Sequence, residues 1–138
     1  MKTISRLMII SILMLTISSV VSIELMAAFG DCPSCWVYRC NDLGGEKVCM
    51  IACMEYRAYY RLFVEVYRWD DEFLRYVYDW HYVLLILGES SNCDEGCYEY
   101  TSAYYLPNGW DGFTGEWYVD KLTGIVCQGA EFKPNPFE

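Results

Sequence analysis

The middle of the chain has a hydrophobic pattern that fits a helix. From Glu46 onward, apolar residues recur at spacings of three and four, with a polar stripe between them. This period of about 3.6 residues predicts an amphipathic helix. The apolar stripe consists of Cys49, Cys53, Tyr56, Tyr60, Phe63 and Tyr67. The segment is also rich in aromatic and β-branched residues, and Phe63, Glu65 and Tyr67 share one parity, so strands over 57–87 are the alternative.

Two further segments have helical features. Asp70-Asp71-Glu72 has the composition of a helix start, and Gly88 is placed to end the helix that follows. The predicted apolar side of this second helix contains Phe73, Val77, Trp80 and Leu84. Ser90-Ser91-Asn92 is another capping cluster, and it predicts a short third helix. The apolar side of that helix would contain Cys93, Cys97, Tyr100 and Tyr104.

The last part of the chain has the pattern of a hairpin. Glu116–Val119 and Ile125–Cys127 flank a loop that contains Gly124. The sequence therefore predicts an α-rich, disulfide-stapled domain of two to three helices with a C-terminal β-hairpin, and the alternative is an α+β domain. The apolar stretch Tyr82–Leu87 belongs to the core in this prediction. If it is exposed instead, we expect a partner or dimer surface there.

The N-terminus has the three parts of an export signal. Lys2 and Arg6 precede the apolar run Leu7–Ile17, and small residues follow at Ser18–Ser22. The sequence predicts a signal peptide at 1–22 and a single secreted, extracellular domain at 23–138. Polar residues interrupt the apolar run, which is too short to predict a membrane span.

The cysteines also indicate a secreted, extracellular domain. All eight follow the predicted cleavage site, and oxidation in the export pathway predicts disulfides rather than a metal site. They are Cys32, Cys35, Cys40, Cys49, Cys53, Cys93, Cys97 and Cys127. Five of them lie in 32–53 and three in 93–127. Because both numbers are odd, at least one bridge must join the two halves.

Charge and tyrosine content indicate the kind of partner. Without the predicted signal, 19 acidic residues face 8 basic ones, a net charge of −11. This excess disfavours nucleic acid and favours an extracellular protein or receptor with a basic surface. Tyrosine suits protein-binding surfaces because it offers a large contact area with few torsions to order. The candidate binding residues are Tyr98, Tyr100, Tyr104 and Tyr105.

Motifs for catalysis or for a cofactor are missing. On a helix, Asp79 and His81 would point in different directions, so we do not expect them to form a dyad. His81 is interpreted as a packed helical side chain. Asn108, Asp111 and Glu116 supply oxygen atoms in a glycine-rich turn, but their spacing does not fit an EF-hand. We therefore expect no catalytic residue, metal or cofactor.

The leading hypothesis is a secreted, disulfide-rich binding or signalling protein that acts on an extracellular protein partner. Such proteins include gland or venom effectors, toxin-like proteins, pheromones and receptor ligands. One alternative is a secreted thiol–disulfide oxidoreductase that uses the Cys-x-x-Cys motif at Cys32 and Cys35. The other is a structural matrix protein that self-associates through Tyr82–Leu87. The oligomeric state stays open.

Overall fold

The computed structural model describes residues 31–89 and 92–138, which form eight β-strands and no helix. The predicted signal peptide at 1–22 lies outside this part of the chain. The strands are β1 Ser34–Arg39, β2 Lys47–Met54, β3 Arg61–Asp70, β4 Arg75–Leu84, β5 Ile86–Leu87, β6 Tyr98–Tyr105, β7 Gly112–Lys121 and β8 Gly124–Gly129. They form two antiparallel four-stranded sheets, in the orders β1-β2-β6-β5 and β4-β3-β7-β8.

The predicted α-rich fold is wrong. The segment with helical spacing forms strands β2 and β3, and alternate residues in the first part of β3 are fully buried: Leu62, Val64 and Val66. These residues follow a period of two, which buries one face of a strand. The α+β alternative is also wrong, since the described residues contain no helix, although β3, β4 and β5 lie within the 57–87 region that it assigned to strands.

The second predicted helix is a strand that follows a tight turn. Asp70 does cap backbone N–H groups, because its Oδ1 accepts from Glu72 N at 3.0 Å and from Phe73 N at 3.4 Å. The turn leads into β4 rather than into a helix, and Leu74 closes it with a positive φ of 49°. The sequence signal was misread because an aspartate caps a hairpin turn and a helix start in the same way.

The third predicted helix is strand β6, which pairs with β2 from Tyr98 to Tyr105. Ser90 and Ser91 of its predicted cap lie outside the described residues. The hairpin predicted near the C-terminus is present as β7 and β8, and Cys127 lies on its second strand opposite Val119. Gly124 takes a φ of 138° at the turn, which an L-residue rarely adopts.

The core lies between the two sheets. Val37, Val48 and Met50 from the first sheet pack in one buried cluster with residues of β3 and β7. The contributions of the second sheet include Leu62, Val64, Val66, Phe113, Trp117 and Val119. Alternating apolar residues on facing strands produce the usual core of two packed sheets.

All eight cysteines are in disulfides, which confirms that prediction. The bridges are Cys32–Cys97, Cys35–Cys127, Cys40–Cys49 and Cys53–Cys93. Three of them join the two cysteine-rich halves, in agreement with the parity argument. The Cys35–Cys127 bridge connects β1 of the first sheet to β8 of the second, so it ties the two layers together. Four disulfides in a small domain are consistent with a secreted, disulfide-rich protein and an oxidising extracellular environment.

The prediction that Tyr82–Leu87 lies entirely in the core is also wrong. Leu85 is buried, but Tyr82, Leu84, Ile86 and Leu87 are exposed. The strand alternation divides this apolar stretch between two faces, whereas a buried helix would enclose it. Tyr82 and Leu84 therefore share one side of β4, while Ile86 and Leu87 lie on β5 of the other sheet.

Candidate functional site

The C-terminal tail covers the part of the outer face of the first sheet that β1 forms. Trp36 Nε1 donates a hydrogen bond to the Pro134 carbonyl at 3.0 Å, and Lys133 Nζ lies 4.7 Å from the centre of the Trp36 ring. Phe137 packs edge-on against Tyr38, with 6.1 Å between the ring centres. The two large aromatic side chains that β1 places on this face thus have partners within the chain.

The outer face of the second sheet carries a continuous set of aromatic rings. We call this surface the aromatic face. It consists of Phe63, Tyr67 and Trp69 on β3, Tyr76, Tyr78, Trp80 and Tyr82 on β4, and Tyr118 on β7. The register explains the arrangement, since the odd-numbered residues of β3 lie opposite the even-numbered residues of β4. Residues paired in this way point to the same side of a sheet.

Many of these rings are open to solvent. Tyr76, Tyr78 and Tyr82 are each more than half exposed, and Trp69 and Trp80 are exposed by 42% and 38%. Soluble monomers rarely leave a large contiguous apolar patch on their surface, and such patches mark interaction sites. The uncovered aromatic face is therefore the candidate functional site.

The rings hold one another in place. Phe63 stacks on Tyr118 with 4.6 Å between ring centres, and Tyr82 packs on the other side of Phe63 at 5.4 Å. Trp80 lies 5.0 Å from Tyr118. Such contacts are worth about 0.5–1.5 kcal/mol each beyond the burial of surface. They order the face before any partner arrives, which lowers the entropy cost of binding.

One cation lies at the edge of the aromatic face. Arg61 forms a two-pronged ion pair with Asp120, at 2.9 Å from Nε and 2.7 Å from Nη2. Its guanidinium carbon lies 4.8 Å from the centre of Phe63 and 5.5 Å from that of Tyr82. Asp120 raises the pKa of Arg61 by accepting these hydrogen bonds. The charge of Arg61 is thus already neutralised by a neighbour.

Two carboxylates lie among the rings. Glu65 is on β3, and Glu116 is on β7 just after an irregularity in the pairing of these strands. Gly115, with a φ of 107°, allows the chain to bulge there. Neither carboxylate has an ion-pair partner within residues 31–89 and 92–138. The aromatic face therefore presents uncompensated negative charge at its middle.

A shallow groove runs beside Trp80. Its walls include Trp80, Glu116, Tyr118 and Gln128, and its volume is about 490 Å³. The buried ring of Trp117 contributes to its lining. An open groove with aromatic walls and one carboxylate suits a side chain of a partner rather than an enclosed small molecule.

The four tyrosines singled out from the sequence do not share one surface. Tyr100 is buried, and its hydroxyl bonds with the backbone of Ala58. Tyr98 is exposed beneath Arg57. Tyr104 is half-buried, and Tyr105 donates to Asp42 Oδ2 at 2.6 Å. Binding through these residues stays a prediction.

Tyr105 takes part in an exposed polar cluster. Asp42 accepts hydrogen bonds from the Tyr105 hydroxyl, from Lys47 Nζ and from Gly44 N. These bonds lower the pKa of Asp42 to about 2, with the Tyr105 bond as the largest cause. A carboxyl with a lowered pKa stabilises the fold above its unfolded pKa, and this contribution is lost as the pH falls through 2. The cluster stabilises the turn between β1 and β2.

His81 lies next to Asp79, a contact that helical geometry would not allow. The prediction of no dyad is wrong, because residues two apart lie on the same side of a strand. His81 Nε2 is 3.2 Å from Asp79 Oδ2, and His81 Nδ1 is 2.6 Å from the Tyr104 hydroxyl. The neutral tautomer with a proton on Nε2 satisfies both bonds, since the Tyr104 O–H then donates to Nδ1.

This chain of groups resembles a catalytic relay, but it lacks an activated nucleophile. Burial and the charge of Asp79 raise the pKa of Tyr104, which keeps its phenol protonated. The Trp110 ring also packs edge-on against His81, 5.2 Å between ring centres. The arrangement is better explained as a link between β4 of one sheet and β6 of the other.

Asp79 also protects the open edge of β4. Leu85 N–H donates to Tyr60 O, so odd-numbered positions bond inward and the N–H of Trp80 points to the unpaired edge. Asp79 Oδ1 accepts from that N–H at 2.9 Å. Capped N–H groups and charges on an edge strand prevent pairing with other chains.

Replacing Asp79 with alanine is expected to promote association through this edge. Asp79→Ala frees the N–H of Trp80 and removes a charge from β4. Sedimentation equilibrium should therefore show a higher average mass than wild type at the same concentration. Asp71→Ala, at an exposed turn residue, is the control for the loss of one negative charge. An equal rise in both variants would contradict a role for the edge.

Other sites expected or considered from the sequence have these outcomes. Cys32 and Cys35 pair with different partners, so the bridge that the oxidoreductase hypothesis requires is not formed. Asp111 accepts from Trp69 N at 2.7 Å, while Glu116 belongs to the aromatic face. Within the described residues, no three side chains of histidine, cysteine, aspartate or glutamate are grouped to hold a metal. No helix in this part of the chain is long and apolar enough to cross a membrane.

Sequence reasoning missed the aromatic face, although one signal for it was present. Tyr76, Tyr78, Trp80 and Tyr82 alternate with smaller or polar residues, which is a period of two. Comparison of the chain with protein-family models, curated proteins and solved structures finds no match.

Proposed function

We propose that this chain is an extracellular, non-catalytic binding domain that contacts a protein partner through its aromatic face. The observation that carries the proposal is the contrast between the two sheets. The tail covers the aromatic rings that β1 places on the outer face of one sheet, while the outer face of the other exposes an ordered array of tyrosine and tryptophan rings. These residue types dominate the energetically important centres of protein interfaces.

Pre-organisation of the rings on the aromatic face supports this proposal. Tyrosine and tryptophan side chains have few torsions, and contacts such as Phe63 on Tyr118 already restrict them. The sheet beneath is tied to the rest of the domain by the Cys35–Cys127 bridge. Binding then requires little ordering, so more of the contact energy contributes to affinity.

A peptide library displayed on phage and selected on the immobilised protein tests this proposal. We expect the selected peptides to bind a Tyr76→Ser, Tyr78→Ser, Tyr82→Ser variant about a hundredfold more weakly than wild type, because interface tyrosines cost about 2 kcal/mol or more when truncated at a hot spot. Titration calorimetry on synthetic copies of the peptides measures the loss. Failure of the library to yield binders would contradict the proposal.

The matched control changes three exposed tyrosines outside the aromatic face, with Tyr56→Ser, Tyr59→Ser and Tyr98→Ser. It should bind the selected peptides within about threefold of wild type, as expected for residues outside the interface. Loss of binding in this control alone would contradict the aromatic face and favour the surface around Tyr98.

More specific versions of the proposal differ in the partner that they assign to the aromatic face. A receptor ligand, toxin-like effector or pheromone requires a receptor ectodomain on the aromatic face. A matrix protein requires a second copy of this chain, and the exposed Leu84, which shares one side of β4 with Tyr82, is the residue that would extend such a contact. Self-association that the triple tyrosine variant abolishes would identify the second copy as the partner.

A further inference from the structure

We infer that the groove beside Trp80 receives an arginine side chain of the protein partner. This inference rests on the proposed function and adds the chemistry that the aromatic face recognises. The groove is lined by Trp80 and Tyr118, with Glu116 on its wall. Aromatic walls together with a carboxylate form the usual environment of a bound guanidinium.

The aromatic face already holds one guanidinium of its own. Arg61 lies over the rings of Phe63 and Tyr82 while Asp120 binds its nitrogen atoms. This arrangement combines a ring contact with a two-pronged carboxylate contact. A second guanidinium in the groove would meet the same two kinds of group, a ring and a carboxylate.

The charge balance of the face selects a cation. Its outward charged side chains are Arg61, Glu65, Glu116 and Asp120. Arg61 and Asp120 neutralise each other, which leaves the two glutamates without a counter-ion in the described residues. An anionic group would be repelled by both, whereas a cationic group is attracted by both.

Arginine fits this site better than lysine for a geometric reason. Its guanidinium is planar, so it can lie flat on the Trp80 ring and still direct N–H groups toward a carboxylate. It is also more weakly hydrated than an ammonium group, so its transfer to a groove walled by rings is less costly. The occupant is thus an arginine-bearing segment of an extracellular protein.

The test uses a short synthetic peptide in which arginine alternates with serine, and the same peptide with neutral citrulline in place of arginine. We expect the arginine peptide to bind the wild-type protein about tenfold more tightly at low ionic strength, since citrulline keeps the shape and loses the charge. Nuclear magnetic resonance titration gives the affinities. The indole N–H signal of Trp80 should shift with the arginine peptide.

The variants separate local from overall charge. Glu65→Gln with Glu116→Gln should weaken binding of the arginine peptide about tenfold. The control Glu46→Gln with Glu138→Gln makes the same change in net charge at two exposed sites off the face, and it should change binding less than about twofold. Equal weakening in both variants would overturn the inference in favour of overall attraction.

Other results would overturn the inference without touching the proposed function. Equal binding of the arginine and citrulline peptides, or a Trp80 shift with a neutral oligosaccharide and none with the arginine peptide, would exclude an arginine site. The triple tyrosine variant distinguishes the two proposals. If it abolishes binding of the library peptides while the glutamate variant has no effect, the aromatic face still binds proteins, and only the arginine site is wrong.

Discussion

Loss of the Cys35–Cys127 bridge is expected to lower the free energy of unfolding by about 3–4 kcal/mol, because chain entropy in the unfolded state rises with loop length. The bridge joins residues 92 apart, in a loop that the remaining Cys32–Cys97 bridge shortens. Cys35→Ala with Cys127→Ala makes this change. Urea denaturation followed by tryptophan fluorescence measures the free energy, and the transition should stay cooperative.

The Cys40–Cys49 bridge supplies the control for this prediction. It closes a loop of only 9 residues within the β1–β2 hairpin. Cys40→Ala with Cys49→Ala should therefore cost about 2–3 kcal/mol by the same model. Equal losses for the two bridges would show that loop length does not set their contribution.

Trp117→Ala is expected to cost about 3–5 kcal/mol, because the variant leaves a large cavity in the core. Trp117 is 4% exposed and packs among the residues between the two sheets. Its Nε1 also donates to the Glu131 carbonyl at 3.0 Å. The ring lies so close to Gly129 that a Cβ on that residue would be 2.8 Å from it, which indicates tight packing. Thermal and urea unfolding both measure the loss.

Trp80→Ala makes the same chemical change on the aromatic face and serves as the control. It should cost about 2 kcal/mol, since Trp80 is 38% exposed and loses partial burial together with its contact with Tyr118. It should also weaken binding of the selected peptides, which Trp80 contacts according to the proposal. A loss of stability as large as that of Trp117→Ala would mean that the aromatic face is part of the core.

The segment from Tyr60 to Tyr67 shows the limit of assigning secondary structure from a hydrophobic pattern. Tyr60, Phe63 and Tyr67 follow helical spacing, yet the structure places Tyr60 in the core and the other two on the aromatic face. Aromatic residues were abundant enough to satisfy both periods, so spacing alone could not separate helix from strand. The alternation of the fully buried Leu62, Val64 and Val66 identifies the segment as a strand.

The candidate site was hidden for a related reason. The contact between Phe63 and Tyr118 joins residues distant in the chain, and only the register of β3 against β7 brings them together. The pair Asp79 and His81 was rejected because helical geometry was assumed. Both errors arise because a helical period is assigned to residues that form strands. The chemistry assigned to the residues is not their cause.

The sequence by itself determined the covalent and electrostatic character of this protein: eight cysteines with at least one bridge between its two halves, an acidic balance of charge and an unusual supply of tyrosine and tryptophan. These properties depend on residue identity and need no contacts. The tertiary structure alone decided which rings are core and which are surface. Trp117 and Trp80 are chemically the same residue, and only strand register and the packing of two sheets bury one and expose the other.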